Sequence, residues 1–259
     1  MAAGNRSLFK RVKHWTPEEL AARLQDALGP SLKSVLLFGS AATGDFVEGV
    51  SDYDVLIVAD SLGVDTLRKL SEPLRKWCES GHPTPQLFTP EELQRSADAF
   101  PIEFLDMQQA RKVLFGEDPL ASISVAEDHL RLELERELKG KLLLLRRKSL
   151  MVIDRPAELE ALLEASVATF LVLGRAALRL FQPTIPPQKT AALRELARRL
   201  SLEVGPILEW AEIREGKQHA PRGEAEVLTL FRAYLDTLEK LVAAIDAFLH
   251  SPHPSGEKK

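Results

Sequence analysis

Residues 36–58 read LLFGSAATGDFVEGVSDYDVLIV, and this stretch decides the fold of the first half of the chain. Its two apolar runs are rich in β-forming residues and are bounded by turn residues, which predicts two adjacent buried strands. Gly39 and Ser40 follow the first run. Asp52 and Asp54 stand at the beginning of the second run, after an eleven-residue spacer. The stretch therefore combines a glycine–serine turn with two acids at the start of a strand.

The two aspartates are predicted to form a metal site. Alternate residues of a strand share a face, so Asp52 and Asp54 project the same way, roughly 6.5–7 Å apart along the backbone. Two carboxylates beside a buried apolar run are costly unless a cation neutralises them, and hard oxygen ligands suit Mg²⁺. Two ions about 3.5–4 Å apart can neutralise a triphosphate and an attacking oxygen. We therefore expect two Mg²⁺ ions and a reaction at a triphosphate.

A third carboxylate is expected to complete this site. The segment 101–107, PIEFLDM, alternates like a strand and sets Glu103 in apolar company, which a purely structural role explains poorly. Glu103 is predicted to bind metal or to accept a proton from an attacking hydroxyl. Asp106 would lie on the opposite face of an ideal strand and ranks below Glu103.

Gly39 and Ser40 are predicted to hold the triphosphate. A glycine lets the backbone approach a phosphate closely, and a serine at the start of a short helix offers its hydroxyl and its N–H. An isolated Asp-x-Asp is a weak signal, because paired aspartates are common near turns. The combination of strand, Gly-Ser, spacer, Asp-Tyr-Asp and strand is far more specific.

The pattern along the chain predicts an α+β protein: a mixed sheet flanked by helices over 1–122, an all-α helical bundle over 123–250 and a disordered tail over 251–259. Helical spacing and capping signals predict helices over 17–28, 67–78, 125–151, 157–181, 189–200, 204–214 and 224–249. Apolar runs predict strands over 34–38, 53–59, 86–88 and 101–107.

Composition limits the classes of partner. A chain of 259 residues with 45% hydrophobic residues can fill two cores, and its net charge of −4 gives no positive field, so nucleic acid is not an expected partner. Its single cysteine, Cys78, excludes an internal disulfide. No apolar run reaches the roughly 18–20 residues that cross a bilayer, so no membrane is expected and a cytoplasmic protein is predicted. Apolar faces on the long helices fit packing within the chain or a homodimer equally well.

At these residues the chain resembles the DNA polymerase beta-type nucleotidyltransferases, whose signature is Gly-Ser followed by Asp-x-Asp in a strand. Within that superfamily it is most similar to the aminoglycoside adenylyltransferases that modify streptomycin and spectinomycin. The motifs LFGSA, SDYDVL and an acid in an apolar segment followed by LFGE occur in the same order. The resemblance implies transfer of a nucleotidyl group, AMP from ATP, to the hydroxyl of an acceptor.

The resemblance also implies roles for individual residues. Asp52 and Asp54 would bind Mg²⁺, and Glu103 would be the catalytic base. The triphosphate contacts would come from Gly39, Ser40 and Ser51.

In the helical half, Arg175 in LGRAALRL and Lys189 in PPQKTAAL resemble basic residues with which those enzymes reach over the nucleotide phosphates. The segment 170–190 is mostly aliphatic and lacks the aromatic and acidic residues that contact aminoglycosides in those enzymes.

Other functions fit parts of the sequence. With the same fold, the acceptor could be a protein hydroxyl, as in a protein-AMPylating or toxin–antitoxin-type nucleotidyltransferase, or the domain could be an inactive nucleotide-binding module. Arg214 and His219 match a loose Arg-x4-His spacing of some helical ribonucleases, which we interpret as solvated loop residues because Gly216 interrupts the helix between them.

Overall fold

The computed structural model describes residues 15–43, 53–182 and 184–250. The chain divides into two compact units, the first ending at Val125 and the second beginning at Ala126. The predicted fold class is confirmed, because a mixed four-stranded sheet with helices precedes a region built from helices. The predicted disordered tail, 251–259, lies outside the described residues.

The first unit is built around one sheet in the order β3-β2-β1-β4. Strand β1 is antiparallel to β2 and β4, whereas β2 and β3 are parallel. The strands are β1 (Leu32–Phe38), β2 (Asp54–Ala59), β3 (Gln86–Phe88) and β4 (Arg111–Gly116). The helices are α1 (Pro17–Leu28), α2 (Ser40–Thr43), α3 (Val64–Glu79), α4 (Pro90–Arg95) and α5 (Pro101–Gln109).

Each face of the sheet carries its own core. Val55 and Ile57 of β2 pack with α1 and α3 on one face. Leu56 and Val58 pack on the other face with α4 and α5, where Phe104 belongs to the same core. Strand side chains alternate between faces, so the continuous apolar run of β2 is explained by burial on both sides.

Helix α1 matches its predicted span. Thr16 accepts a hydrogen bond from the Glu19 N–H, and the Glu19 side chain accepts one from the Thr16 N–H, which completes the capping box. Pro17 occupies the first turn, and the helix ends at Gly29. These local signals were sufficient to predict both ends of the helix from the sequence.

The predicted strand over 101–107 is wrong, because this segment forms α5. Pro101 begins the helix, where its fixed φ suits the first turn and its missing N–H costs nothing. Ile102, Phe104 and Met107 are buried, a spacing that fits a helix as well as a strand over so few residues. Strand β4, which the sequence analysis did not predict, follows directly after α5.

The second unit consists of α6 (Glu127–Ser149), α7 (Pro156–Leu178), α8 (Lys189–Leu200), α9 (Gly205–Arg214) and α10 (Glu224–His250). Helix α7 contacts the other four helices. A Cβ on Gly174 would lie 3.0 Å from Cδ1 of Leu193, so this glycine lets α8 pack closely on α7. The hydroxyls of Ser166 and Tyr234 lie 2.9 Å apart, and burial raises the pKa of Tyr234.

Helix α7 is long and apolar enough to cross a membrane by length and composition, although charged residues interrupt its apolar runs. Half of its apolar stretch is buried inside the protein. Core helices of helical bundles have the same composition, because their neighbours cover them on several sides. Its packing against four helices makes α7 the core helix of the second unit.

Replacing Gly116 by alanine tests how closely β4 approaches β1. Gly116 has a φ of +74°, and a Cβ would lie 1.9 Å from the Lys33 carbonyl oxygen. Gly81 has a φ of +93° with no atom within 4 Å of such a Cβ, so Gly81→Ala is a control for backbone strain alone. We expect Gly81→Ala to lower the free energy of unfolding by about 1–2 kcal/mol and Gly116→Ala by roughly 2–5 kcal/mol.

Urea unfolding of the full-length protein, with hydrogen exchange of the β1 amides to identify the first unit, measures both losses. Equal losses in the two variants would contradict the close approach of the two strands.

Candidate active site

Gly39 joins β1 to α2, and the carboxylate of Asp54 lies against its backbone. The φ of Gly39 is +74°, a left-handed conformation that side chains disfavour. Its N–H donates to the Ala110 carbonyl at 3.0 Å. A Cβ at this position would lie 3.1 Å from Oδ2 of Asp54. Glycine therefore satisfies both the turn and the close approach of the acid.

Asp54 is the first residue of β2 and pairs with Phe38, the last residue of β1. It is half-buried. Because Leu56 and Val58 pack with α4 and α5, alternation along the strand projects Asp54 from the same face of the sheet. The acid thus lies at one end of the sheet, on the face that α4 and α5 cover.

Part of the predicted site lies outside the described residues: the Ser40 side chain, Ser51 and Asp52. The backbone of Ser40 begins α2, as the predicted short helix requires. That Asp52 and Asp54 share a face of the strand therefore stays a prediction from the sequence.

The described residues fit a bound Mg²⁺ ion. The Asp54 carboxylate is a hard oxygen ligand, and it faces a backbone position where any side chain would intrude. The absence of a side chain at Gly39 therefore leaves the Asp54 carboxylate unobstructed on that side. The Asp54 carboxylate and the Gly39 backbone lie at the adjoining ends of β2 and β1.

Glu103 does not have the surroundings that the sequence analysis predicted. It lies in the first turn of α5 with its side chain exposed, while its neighbours Ile102 and Phe104 are buried. An acid in the first turn is favourable for the helix dipole, which is a structural reason for its presence. Glu103 is therefore not an acid inside an apolar strand, and the prediction of those surroundings is wrong.

The helix also changes the ranking of Asp106. Residues three apart are neighbours on a helix surface, so Glu103 and Asp106 lie on adjacent positions and not on opposite faces. Asp106 is half-buried, and its Oδ1 atom is fully buried. The geometric reason for preferring Glu103 over Asp106 no longer applies.

Strand β3 places Gln86 beside Leu56 of β2. Gln86 pairs with Leu56 in the parallel register, and paired residues share a face, so Gln86 lies on the face from which Asp54 projects. The sequence analysis predicted the strand at 86–88 and missed this residue. Which strands become neighbours, and whether they run parallel, depends on contacts between distant residues. The periodicity of apolar residues along the sequence does not reveal these contacts.

In the second unit, the structure brings Arg175 close to the start of α8. Nη1 of Arg175 donates to the Pro187 carbonyl at 3.2 Å. Lys189, two residues later, is the first residue of α8 and is exposed. The two predicted phosphate contacts therefore lie on one side of the second unit.

A second group of metal-ligating side chains connects α6 and α10. Glu135, Asp246 and His250 offer ligand atoms within 4.8 Å of one another. Nζ of Lys139 lies 2.8 Å from Glu135 and 2.7 Å from Asp246, and hydrogen bonds to Asp246 and Glu135 raise its pKa. The lysine supplies the positive charge that these acids need, so we interpret the group as an ion-pair network.

Arg214 and His219 do not form a common site. Arg214 ends α9, Gly216 follows with a φ of +71°, and both side chains are exposed. Their spacing is therefore not that of one helix face, in agreement with the interpretation as loop residues.

Comparison with known proteins places these features in a family context. Residues 18–113, which include Gly39 and Asp54, match the family described as "Nucleotidyltransferase domain". The fold is similar to a crystal structure of spectinomycin adenyltransferase AAD(9) from Enterococcus faecialis with ATP and spectinomycin. The TM-score is 0.55 and the sequence identity is 13%, and the match covers 87% of this chain and 99% of that chain. No curated protein matches the sequence significantly. The predicted resemblance is confirmed, and at this identity the structural likeness establishes the fold.

Gly39→Ala tests the contact with Asp54. The new methyl group would lie 3.1 Å from Oδ2 of Asp54 and would also strain the left-handed backbone. We expect Gly39→Ala to lower the free energy of unfolding by about 1–2 kcal/mol, as Gly81→Ala does. Gly39→Ala should also weaken metal-dependent nucleotide affinity by about tenfold or more, whereas Gly81→Ala should leave this affinity unchanged. Calorimetric titration of the two variants measures this. Equal nucleotide affinity in both would contradict a role for the contact in binding.

Proposed function

We propose that this protein transfers the AMP group of ATP to a hydroxyl of a small molecule such as an aminoglycoside, with Mg²⁺ as the metal. The observation that carries the proposal is the contact of the Asp54 carboxylate with the Gly39 backbone. This contact puts a carboxylate oxygen, the type of ligand that Mg²⁺ prefers, beside the turn between β1 and α2. The match to a nucleotidyltransferase domain over the same residues supports it.

Asp52 and Asp54 are the proposed ligands of Mg²⁺. When bound, the metal would neutralise charge on the triphosphate and on the attacking oxygen. Gly39 contributes space and no donor, because its N–H is already bonded to Ala110. The proposed phosphate donors are the N–H groups of Ser40 and Ala41 at the start of α2, because the N–H of Ala42 already donates to the Gly39 carbonyl.

The chemical step requires a base. The acceptor hydroxyl attacks the α-phosphorus, the bond to the bridging oxygen breaks, pyrophosphate leaves and the hydroxyl proton passes to a base. Glu103 is proposed for this role on the resemblance alone. Asp106, its neighbour on α5, is the other candidate.

Arg175 and Lys189 are proposed to bind nucleotide phosphates. The hydrogen bond of Arg175 to Pro187 reduces the freedom of its side chain, so less entropy is lost when the guanidinium binds an anion. A planar guanidinium and a neighbouring ammonium together suit an extended polyphosphate.

Asparagine substitutions test the proposed metal ligands. The Asp52→Asn/Asp54→Asn variant keeps the side-chain shape and removes the charges, so Mg²⁺-dependent nucleotide affinity should fall by roughly 10²–10³-fold. Asp60→Asn is the matched control, because Asp60 directly follows β2 and forms an exposed ion pair with Lys33.

Calorimetric titration of ATP, GTP, CTP and UTP, with and without Mg²⁺, measures these affinities and the preferred base. The proposal fails if wild type binds no nucleotide with Mg²⁺, or if the double variant binds as well as Asp60→Asn.

Glu103→Gln and Asp106→Asn separate the two candidate bases. Removing a general base should lower turnover by about 10²–10⁴-fold while nucleotide affinity stays within threefold of wild type. Glu91→Gln is the control, since Glu91 also lies in the first turn of a helix on this side of the sheet. Turnover is measured as pyrophosphate release with aminoglycosides and with protein acceptors, which also identifies the acceptor class. A Glu103→Gln variant with normal turnover would exclude Glu103 as the base.

A further inference from the structure

Two aromatic rings pack against Tyr53, the residue that precedes Asp54. The Tyr53 ring centroid lies 5.0 Å from that of His82, in an edge arrangement, and 6.2 Å from that of Trp77. The His82 and Trp77 centroids lie 4.1 Å apart. Aromatic pairs in such tilted and edge geometries attract one another beyond their apolar burial. We refer to Tyr53, Trp77 and His82 as the aromatic clamp.

The aromatic clamp is fixed to the rest of the first unit by hydrogen bonds. Trp77 is fully buried in α3, and its Nε1–H donates to the Pro83 carbonyl at 2.9 Å. Nε2 of His82 donates to the Trp15 carbonyl, 3.2 Å away, just before α1. The clamp therefore joins the end of α3 and the start of α1 to Tyr53, the residue before β2.

Tyr53 and Asp54 occupy opposite faces of the strand. The Tyr53 ring packs against the core beneath α1 and α3, which also contains Val55 and Ile57. Asp54 projects from the other face and contacts Gly39. Holding Tyr53 on one face fixes the direction of Asp54, the next residue, on the other face.

We propose that the aromatic clamp positions Asp54 for Mg²⁺, with Tyr53 and His82 as positioning residues. This inference rests on the proposed function and adds two residues that do not contact the metal. Metal sites require their ligands to be held within about 0.5 Å of the binding geometry. Losing a group that orients a metal ligand typically weakens metal affinity by about 10–100-fold.

The test compares metal affinity with stability in the full-length protein. Tyr53→Leu and His82→Ala remove rings from the clamp, whereas His82→Phe keeps a ring at the same position. Leu28→Ala is the control, because it removes a buried side chain of the same core at the far end of α1. Mn²⁺ affinity in the presence of a non-hydrolysable ATP analogue is measured by electron paramagnetic resonance, and thermal midpoints are measured for every variant.

We expect Tyr53→Leu and His82→Ala to weaken Mn²⁺ affinity about tenfold or more, and His82→Phe to retain most of the wild-type affinity. Leu28→Ala should lower the thermal midpoint while its Mn²⁺ affinity stays within about twofold of wild type. Normal Mn²⁺ affinity in Tyr53→Leu and His82→Ala would overturn the positioning role and leave the proposed function intact. Wild type that binds no Mn²⁺ with the nucleotide analogue would overturn the proposed function, and the positioning role with it.

Discussion

The close approach of the Asp54 carboxylate to Gly39 is the constraint on which the candidate site depends. It requires a left-handed glycine at the end of β1 and a register in which Phe38 pairs with Asp54. The N–H of the same glycine bonds the Ala110 carbonyl, immediately before β4. One residue without a side chain thus connects the ends of three strands, and the turn that it makes leads directly into α2.

Much of this arrangement follows from local signals in the sequence. Thr16 and Glu19 predict the start of α1, and Gly29 predicts its end. The apolar runs on either side of the spacer predict β1 and β2, because short β-rich segments bounded by turn residues are typical of strands. The helical half is predicted well because its segments are long and strongly periodic.

The remainder of the site depends on contacts between distant residues. The segment that became α5 is too short for its apolar spacing to separate helix from strand, and only Pro101 indicated a helix. The parallel pairing that brings Gln86 beside β2 and the contact of Arg175 with Pro187 depend on tertiary packing. The aromatic clamp likewise joins residues that are separate in the sequence, so no local pattern indicates that Tyr53, Trp77 and His82 meet.

Locating the bound metal by nuclear magnetic resonance tests the central claim most directly. Mn²⁺ added with a non-hydrolysable ATP analogue broadens amide signals within about 10–15 Å of the ion, a range that resolves sites within one domain whose diameter is near 30 Å. The account predicts that broadening centres on Gly39, Ser40 and Asp54. Broadening centred instead on Glu135, Asp246 and His250 would contradict it, because the metal would then lie in the ion-pair network of the second unit.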